Sequence, residues 1–192
     1  MLEILEQTKS EDTYRGWLTG KDNFRYALAK TAGYKANRTE NVKPEHLDAI
    51  FAHAVTRWGF EYTDGQEADD AIAIEHARSQ YKSLVISDDK DFLQLPGKHY
   101  RPRKGNLVEI SHFEGLKNFY RQILTGDSCD NIIGLYGIGP VKAEKILSCC
   151  RTEQELYSAC VAAYAGNKER VIENGQLLWL RRTDGEIWQP PV

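Results

Sequence analysis

Between residues 67 and 91 the chain reads as a helix, a continuous apolar strand and a turn crowded with carboxylates, and this succession narrows the fold more than any other stretch. From Glu67 to Tyr81, Ala68, Ala71, Ile72, Ile74 and Ala77 recur at helical spacing. Ser83-Leu84-Val85-Ile86-Ser87 shows no polar alternation, which suits a parallel strand covered on both faces. Asp88-Asp89-Lys90-Asp91 follows directly. Helix, buried strand and acidic turn together predict an α/β domain with a central parallel sheet.

The remaining elements fit around that unit. Residues 1–12 read as a short amphipathic helix with no basic start, so they do not form a signal peptide. Residues 21–31 have helical character stopped by Gly33, and Pro44 opens a helix carrying Leu47, Ile50, Phe51, Ala54, Val55 and Trp58. Phe60 to Tyr62 is a short strand candidate. A β-hairpin is predicted from Tyr100 to Arg103 and Leu107 to Ile110, turning at Lys104-Gly105-Asn106. Helices follow over 113–124, 141–150, 153–165 and 167–182, and the Pro190-Pro191 tail is expected to fray. With 192 residues the chain makes one domain, or one with a small appendage. No apolar run approaches the roughly 20 residues of a membrane-spanning helix. Cys129, Cys149, Cys150 and Cys160 show no metal-ligand spacing and read as free thiols of a reducing cytosol.

Net charge is −3, but its distribution matters more than its sum. Lys21 to Lys43 holds six basic and two acidic residues, whereas Glu61 to Asp91 holds nine acidic and three basic. A basic segment beside an acidic one suits a protein that grips phosphates and cages cations. Three acidic clusters could form such a cage. Glu67, Asp69 and Asp70 open a helix, where favourable placement at the positive end of its dipole explains them equally well. Asp89 and Asp91 follow a strand's carboxyl end, where α/β sheets bind ligands, and in extended chain they would face the same side; a solvated turn is the alternative. Asp127 and Asp130 would share one face if their segment were helical, or else cap a helix. Gathered into one pocket, these carboxylates would repel one another unless hard cations neutralised them.

Ile133-Gly134-Leu135-Tyr136-Gly137-Ile138-Gly139-Pro140-Val141-Lys142-Ala143 is the most specific string. Gly134, Gly137 and Gly139 permit close approach of backbone to phosphate, Pro140 suits the first turn of a helix, and that helix offers free N–H groups. Lys142 and Lys145 add charge-assisted contacts. A tight αα-hairpin without a ligand is the alternative, but the spacing between two helices favours a helix-hairpin-helix that holds duplex DNA by its backbone. Tyr34, Lys35 and Arg38 form a compact aromatic-and-basic group, suited to stacking and phosphate contact or equally to a plain solvated surface.

In this order, YKANR, EADD, SDDKDF and GDSCDNIIGLYGIGPVKA resemble the motifs of the 5′-nuclease family. That family includes the exonuclease domain of bacterial DNA polymerase I, bacteriophage 5′-exonucleases and flap endonucleases; the phage type is nearest in character, and the likeness spans residues 20–150. It implies a PIN-like α/β core over 1–112 with an arch segment around 21–45, and a helical subdomain over 113–192 with the helix-hairpin-helix at 130–150. It implies that Glu67, Asp69, Asp70, Asp89, Asp91, Asp127 and Asp130 hold two Mg²⁺ or Mn²⁺ ions. It assigns the scissile phosphate to Lys35 and Arg38, a nucleotide stack to Tyr34, and duplex binding, often with K⁺ on backbone carbonyls, to the hairpin around Gly137 and Gly139. The implied activity is metal-dependent 5′-3′ exonuclease or flap endonuclease cleavage of branched, nicked or 5′-flapped DNA, by a monomer in the cytoplasm, or the host cytoplasm if the gene is a phage's. The family's first, Asp-bearing strand has no counterpart before residue 17, and Thr19-Gly20 stands where a second family Asp falls. The alternative expectation is therefore an inactive, structure-selective DNA-binding protein, or a fragment that needs a partner strand. An RNA-cutting relative is disfavoured by the hairpin.

Overall fold

The computed structural model describes Glu3, Ile4 and Glu6, residues 14–38 and residues 43–192. Apart from those first three, the helix expected over residues 1–12 lies outside the described residues. Two pieces of sheet form the α/β part. In the first, β1 (Trp17–Leu18) pairs in parallel with β2 (Glu61–Tyr62). In the second, β3 (Leu84–Ile86) pairs in parallel with β4 (Gly97–Arg101), which pairs antiparallel with β5 (Asn106–Ile110). The parallel sheet is thus divided, and among the described residues no backbone ladder joins its pieces. The hairpin starts earlier than its sequence suggests, because Gly97 to Arg101 all find partners across the turn.

Helices surround these strands. Only Arg25–Leu28 (α1) of the stretch 21–31 is α-helical: Phe24 leads in without a side-chain cap, and Ala29 is already extended. α2 (Leu47–Trp58) begins after Pro44 and ends on Gly59 in the left-handed region; none of its residues is buried, so its apolar stripe is not core. α3 (Ala68–Arg78) opens with a capping box in which Glu67 and Asp70 satisfy each other's backbone N–H groups. Val85 is buried at the centre of β3.

Most of the apolar core lies in the second half of the chain. α4 (His112–Thr125) is capped by a Ser111–Glu114 box and packs against α5 (Pro140–Leu147), α6 (Glu153–Ala163) and α7 (Lys168–Leu178). Phe119, Tyr120, Ile123, Leu124, Leu147 and Leu156 are fully buried there. A smaller cluster, Ala73, Val85, Phe92, Leu95 and Leu180, underlies the sheet. The two are laced together: Asn118 donates to the Leu93 carbonyl (2.8 Å), and the Gln94 side chain bonds Leu178 O (2.9 Å) and Leu180 N (3.0 Å).

The chain stays packed as far as Trp188, just short of the Pro190-Pro191 tail, whose last residue, Val192, is fully exposed. Trp188 is 4% exposed, with its ring edge-on to Phe119 at 5.4 Å. Gly175 of α7 accommodates it, since a Cβ there would stand 2.4 Å from the indole. Trp188→Ala should cost about 3–5 kcal/mol, and so lower the melting temperature by roughly 6–20 °C in a circular dichroism melt. A shift under about 2 °C would mean that the tail is dispensable.

Candidate active site

Six of the seven expected carboxylates line one cavity of about 290 Å³: Glu67, Asp69, Asp89, Asp91, Asp127 and Asp130, with Lys35, Arg38 and Lys90 among them. Three separate devices bring them there. The start of α3 presents Glu67 and Asp69. Asp89 caps a 3₁₀ turn (Lys90–Gln94), accepting from Asp91 N at 2.9 Å. This corrects the expectation of extended chain between Asp89 and Asp91; they share the cavity because a turn, not a pleat, joins them. Nor is the segment carrying Asp127 and Asp130 helical. Gly126–Asp127 (β6) pairs antiparallel with Ile132–Ile133 (β7), and Asp130 sits in the intervening turn.

Asp70 is the seventh, and it faces elsewhere. Fully buried, it receives the Arg25 guanidinium at 2.6 and 2.8 Å, and also the backbone N–H groups of Arg181 and Glu67. Four donors occupy its lone pairs, an arrangement that suits a structural anion. Arg25 also donates to Leu177 O (2.8 Å) and Trp179 O (2.7 Å). Asp88, by contrast, turns away to accept from Arg103 N at 3.1 Å.

The basic loop is stitched to the Asp127–Asn131 turn. Lys35 N donates to Asp130 O (2.9 Å), Asn37 to Ser128 O (2.7 Å), Arg38 Nε to Cys129 O (3.1 Å), and Asn131 to Gly33 O (2.8 Å). Lys35 and Asn131 both hold positive φ, 54° and 58°, a strain that this stitching sustains. The Lys35 ammonium pairs with Glu67 and lies 3.8 Å from Asp130, while Arg38 Nη2 meets Asp130 at 2.6 Å. Tyr34 does not offer its ring to a nucleotide. It is 4% exposed, its hydroxyl donates to Asp130 (2.8 Å) and lies 3.2 Å from Glu67, and burial followed by the Glu67 charge pushes its ionisation far upward.

Charge inside the cavity is unevenly matched. Against the upward push of burial, Lys90 (2.7 Å) and the N–H groups of Cys129 and Asp130 hold Asp127 below its ordinary value. Among the described residues no ion pair reaches Asp69, Asp89 or Asp91. Burial, then the neighbouring charges of Asp89, Glu67 and Asp70, lift Asp69 to about 7; burial and Asp89 lift Asp91 to about 6. Among the described residues no three His, Cys, Asp or Glu side chains form a ready-made metal-holding group. The donor set nonetheless fits hard divalent cations: it is all oxygen, anionic, and short of positive charge where Asp69, Asp89 and Asp91 meet. Sequence reasoning missed Lys90 and Arg25 as partners of these acids. Lys90 lies within the acidic motif, where only its position could have drawn attention.

Beyond β7, Leu135 N bonds Leu124 O (2.8 Å), Gly137 takes φ 73°, and Gly139 leads into α5 with Pro140 in its first turn. A Cβ on Gly137 or Gly139 would meet nothing within 4 Å, so both are open to a large ligand. Gly134 differs: a Cβ there would stand 2.2 Å from the Thr125 carbonyl carbon, so this glycine is required for packing and not for approach to phosphate. Lys142 donates to Gly137 O (2.8 Å), Lys145 is exposed, and Tyr136 projects fully into solvent.

No family model matches the chain. It is 33% identical over 132 residues to the flap endonuclease Xni of Shewanella sp. (strain MR-4), an alignment covering 62% of this chain and 46% of that protein. It is 31% identical over 150 residues to DNA polymerase I of Deinococcus radiodurans, covering 70% of this chain and 15% of the polymerase. The chain therefore spans about half the length of the flap endonuclease it matches. Its fold is that of the flap endonuclease of bacteriophage T5 solved with DNA and metal ions, with a TM-score of 0.67 at 18% identity over 92% of this chain and 78% of that one. No helix among the described residues is long and apolar enough to cross a membrane.

Proposed function

We propose that this chain, which belongs to the 5′-nuclease family, hydrolyses DNA phosphodiesters at 5′-flapped, nicked or branched duplexes with the help of divalent metal ions. One observation carries this reading: carboxylates from three separated segments line a single cavity together with Lys35 and Arg38, next to a glycine hairpin open to solvent. Glu67, Asp69, Asp89, Asp91, Asp127 and Asp130 would hold two Mg²⁺ or Mn²⁺ ions. Such ions supply Lewis-acid polarisation of the phosphate and an activated water. Lys35 and Arg38 hold the non-bridging phosphate oxygens and offset the charge that grows on them. Tyr34 positions Glu67 and Asp130 through its hydroxyl. The hairpin at Gly137 and Gly139, with Lys142 and Lys145, grips duplex backbone and so carries position and not sequence. A potassium ion on the hairpin carbonyls would have to displace the Lys142 ammonium from Gly137 O.

A second reading, structure-selective binding without cleavage, has one specific observation in its favour. Thr19 lines the cavity where the resemblance anticipates an Asp, and its hydroxyl accepts from Ala68 N at 3.0 Å. The test is cleavage of a 5′-flap duplex labelled at its 5′ end, in Mg²⁺, in Mn²⁺ and in EDTA. Cutting that needs metal and drops at least about 100-fold in Asp89→Asn/Asp91→Asn supports the nuclease. A flap bound tightly in EDTA yet uncut with either metal supports the second reading.

A further inference from the structure

One face of α4 lies against the turn that carries Asp89 and Asp91. Gly115, Asn118 and Gln122, spaced by three and four residues, share that face. A Cβ on Gly115 would stand 2.6 Å from the Gln94 carbonyl oxygen, so helix and turn meet backbone to backbone. Asn118 fixes the turn's main chain through its bond to Leu93 O at 2.8 Å. One helical turn further on, Gln122 donates from Nε2 to Asp91 Oδ1. The other end of that amide, Oε1, is buried and has no partner among the described residues.

A buried carbonyl left without a donor costs stability, and an apolar side chain of the same length would fill this space without one. Packing alone therefore does not explain an amide here. Its orientation follows from Asp91, since turning the amide over would set Oε1 against the carboxylate. Five residues after Gln122, α4 has run directly into Asp127 of β6. One helix thus holds Asp91 by a side chain and Asp127 by chain continuity. We infer that Gln122 is a positioning residue for divalent metal, fixing the Asp91 carboxylate relative to Asp127 and leaving Oδ2 as the oxygen offered to an ion. The inference rests on the nuclease reading, in which both acids hold metal. Carboxylates that bind metals are aimed by such outer hydrogen bonds, and losing one weakens metal binding roughly 10- to 100-fold.

The experiment titrates the full chain with Mn²⁺ without DNA, following free Mn²⁺ by electron paramagnetic resonance. Gln122→Met, which keeps the length but has no donor, should raise the Mn²⁺ Kd about 10- to 100-fold while the melting temperature stays within about 3 °C. Gln122→Asn, which keeps an amide but falls one methylene short of Asp91, should lose as much. The Mn²⁺ concentration for half-maximal flap cleavage should rise by a similar factor. In an Asp91→Asn background, Gln122→Met should add less than about twofold, because the group it positions is gone. Either single variant binding Mn²⁺ within about twofold of wild type, or a full penalty persisting in Asp91→Asn, overturns the assignment and leaves the nuclease reading intact. A melting temperature lowered by more than about 6 °C in both single variants makes Gln122 a packing residue and also overturns it. A wild-type chain that binds no Mn²⁺ and cuts no flap overturns both readings.

Discussion

Replacing Arg25 with methionine should destabilise the protein by about 3–5 kcal/mol, because it strands a buried charge. The guanidinium is 1% exposed, and all three of its nitrogens have partners in Asp70, Leu177 O and Trp179 O. Without it the Asp70 carboxylate, 0% exposed, keeps only backbone N–H donors. A chain of this length should then melt roughly 6–20 °C lower. Arg25→Met combined with Asp70→Leu should regain part of the loss, since removing both charges avoids the uncompensated one. Recovery stays partial because the Leu177 and Trp179 carbonyls and the Glu67 and Arg181 N–H groups remain unmatched. Thermal denaturation of the three variants checks this; a single variant as stable as wild type would show that Asp70 is not held in place by charge.

Lys35→Ala should slow the chemical step by about 10²–10³, the range seen when a donor to a charged transition state is removed. Its ammonium already stands among Glu67, Asp130 and the face of Tyr34, at 5.0 Å from that ring's centre, on a backbone held at positive φ. Under the proposed function, that preorganisation would act on the reacting phosphate more than on the rest of the DNA. Affinity for the flap, measured by anisotropy in EDTA, should therefore change less than about fivefold while single-turnover cleavage collapses. Equal losses in both measurements would reduce Lys35 to a general phosphate contact.

How far the sequence reveals this arrangement depends on element length. α3 and α4 are legible because periodicity accumulates over many residues, and β3, of only three, because its run is continuously apolar. β1, of two residues, shows no pattern of its own, while β2 and α1, of two and four residues, are anticipated only loosely, within Phe60 to Tyr62 and within 21–31. The acidic clusters identify the site, but residue type does not reveal partner. Asp69 and Asp70 are adjacent and chemically identical, yet one lines the cavity and the other closes a buried ion pair. Tyr34 and Tyr26 show the same limit: only packing separates the ring that is buried from the ring that is open. Near the C-terminal end, the buried Trp188 shows that an anchor can stand two positions before a pair of prolines.

The Arg25 contacts also impose an order on biosynthesis. Its carbonyl partners lie 152 and 154 residues downstream. Ring closures of that span form late, so α1 and the carboxylate-bearing start of α3 acquire their final placement only once nearly all of this chain has left the ribosome. Until then a nascent chain has the acidic residues without the frame that aims them, and the carboxylate cavity should take shape abruptly once Trp179 has cleared the ribosome.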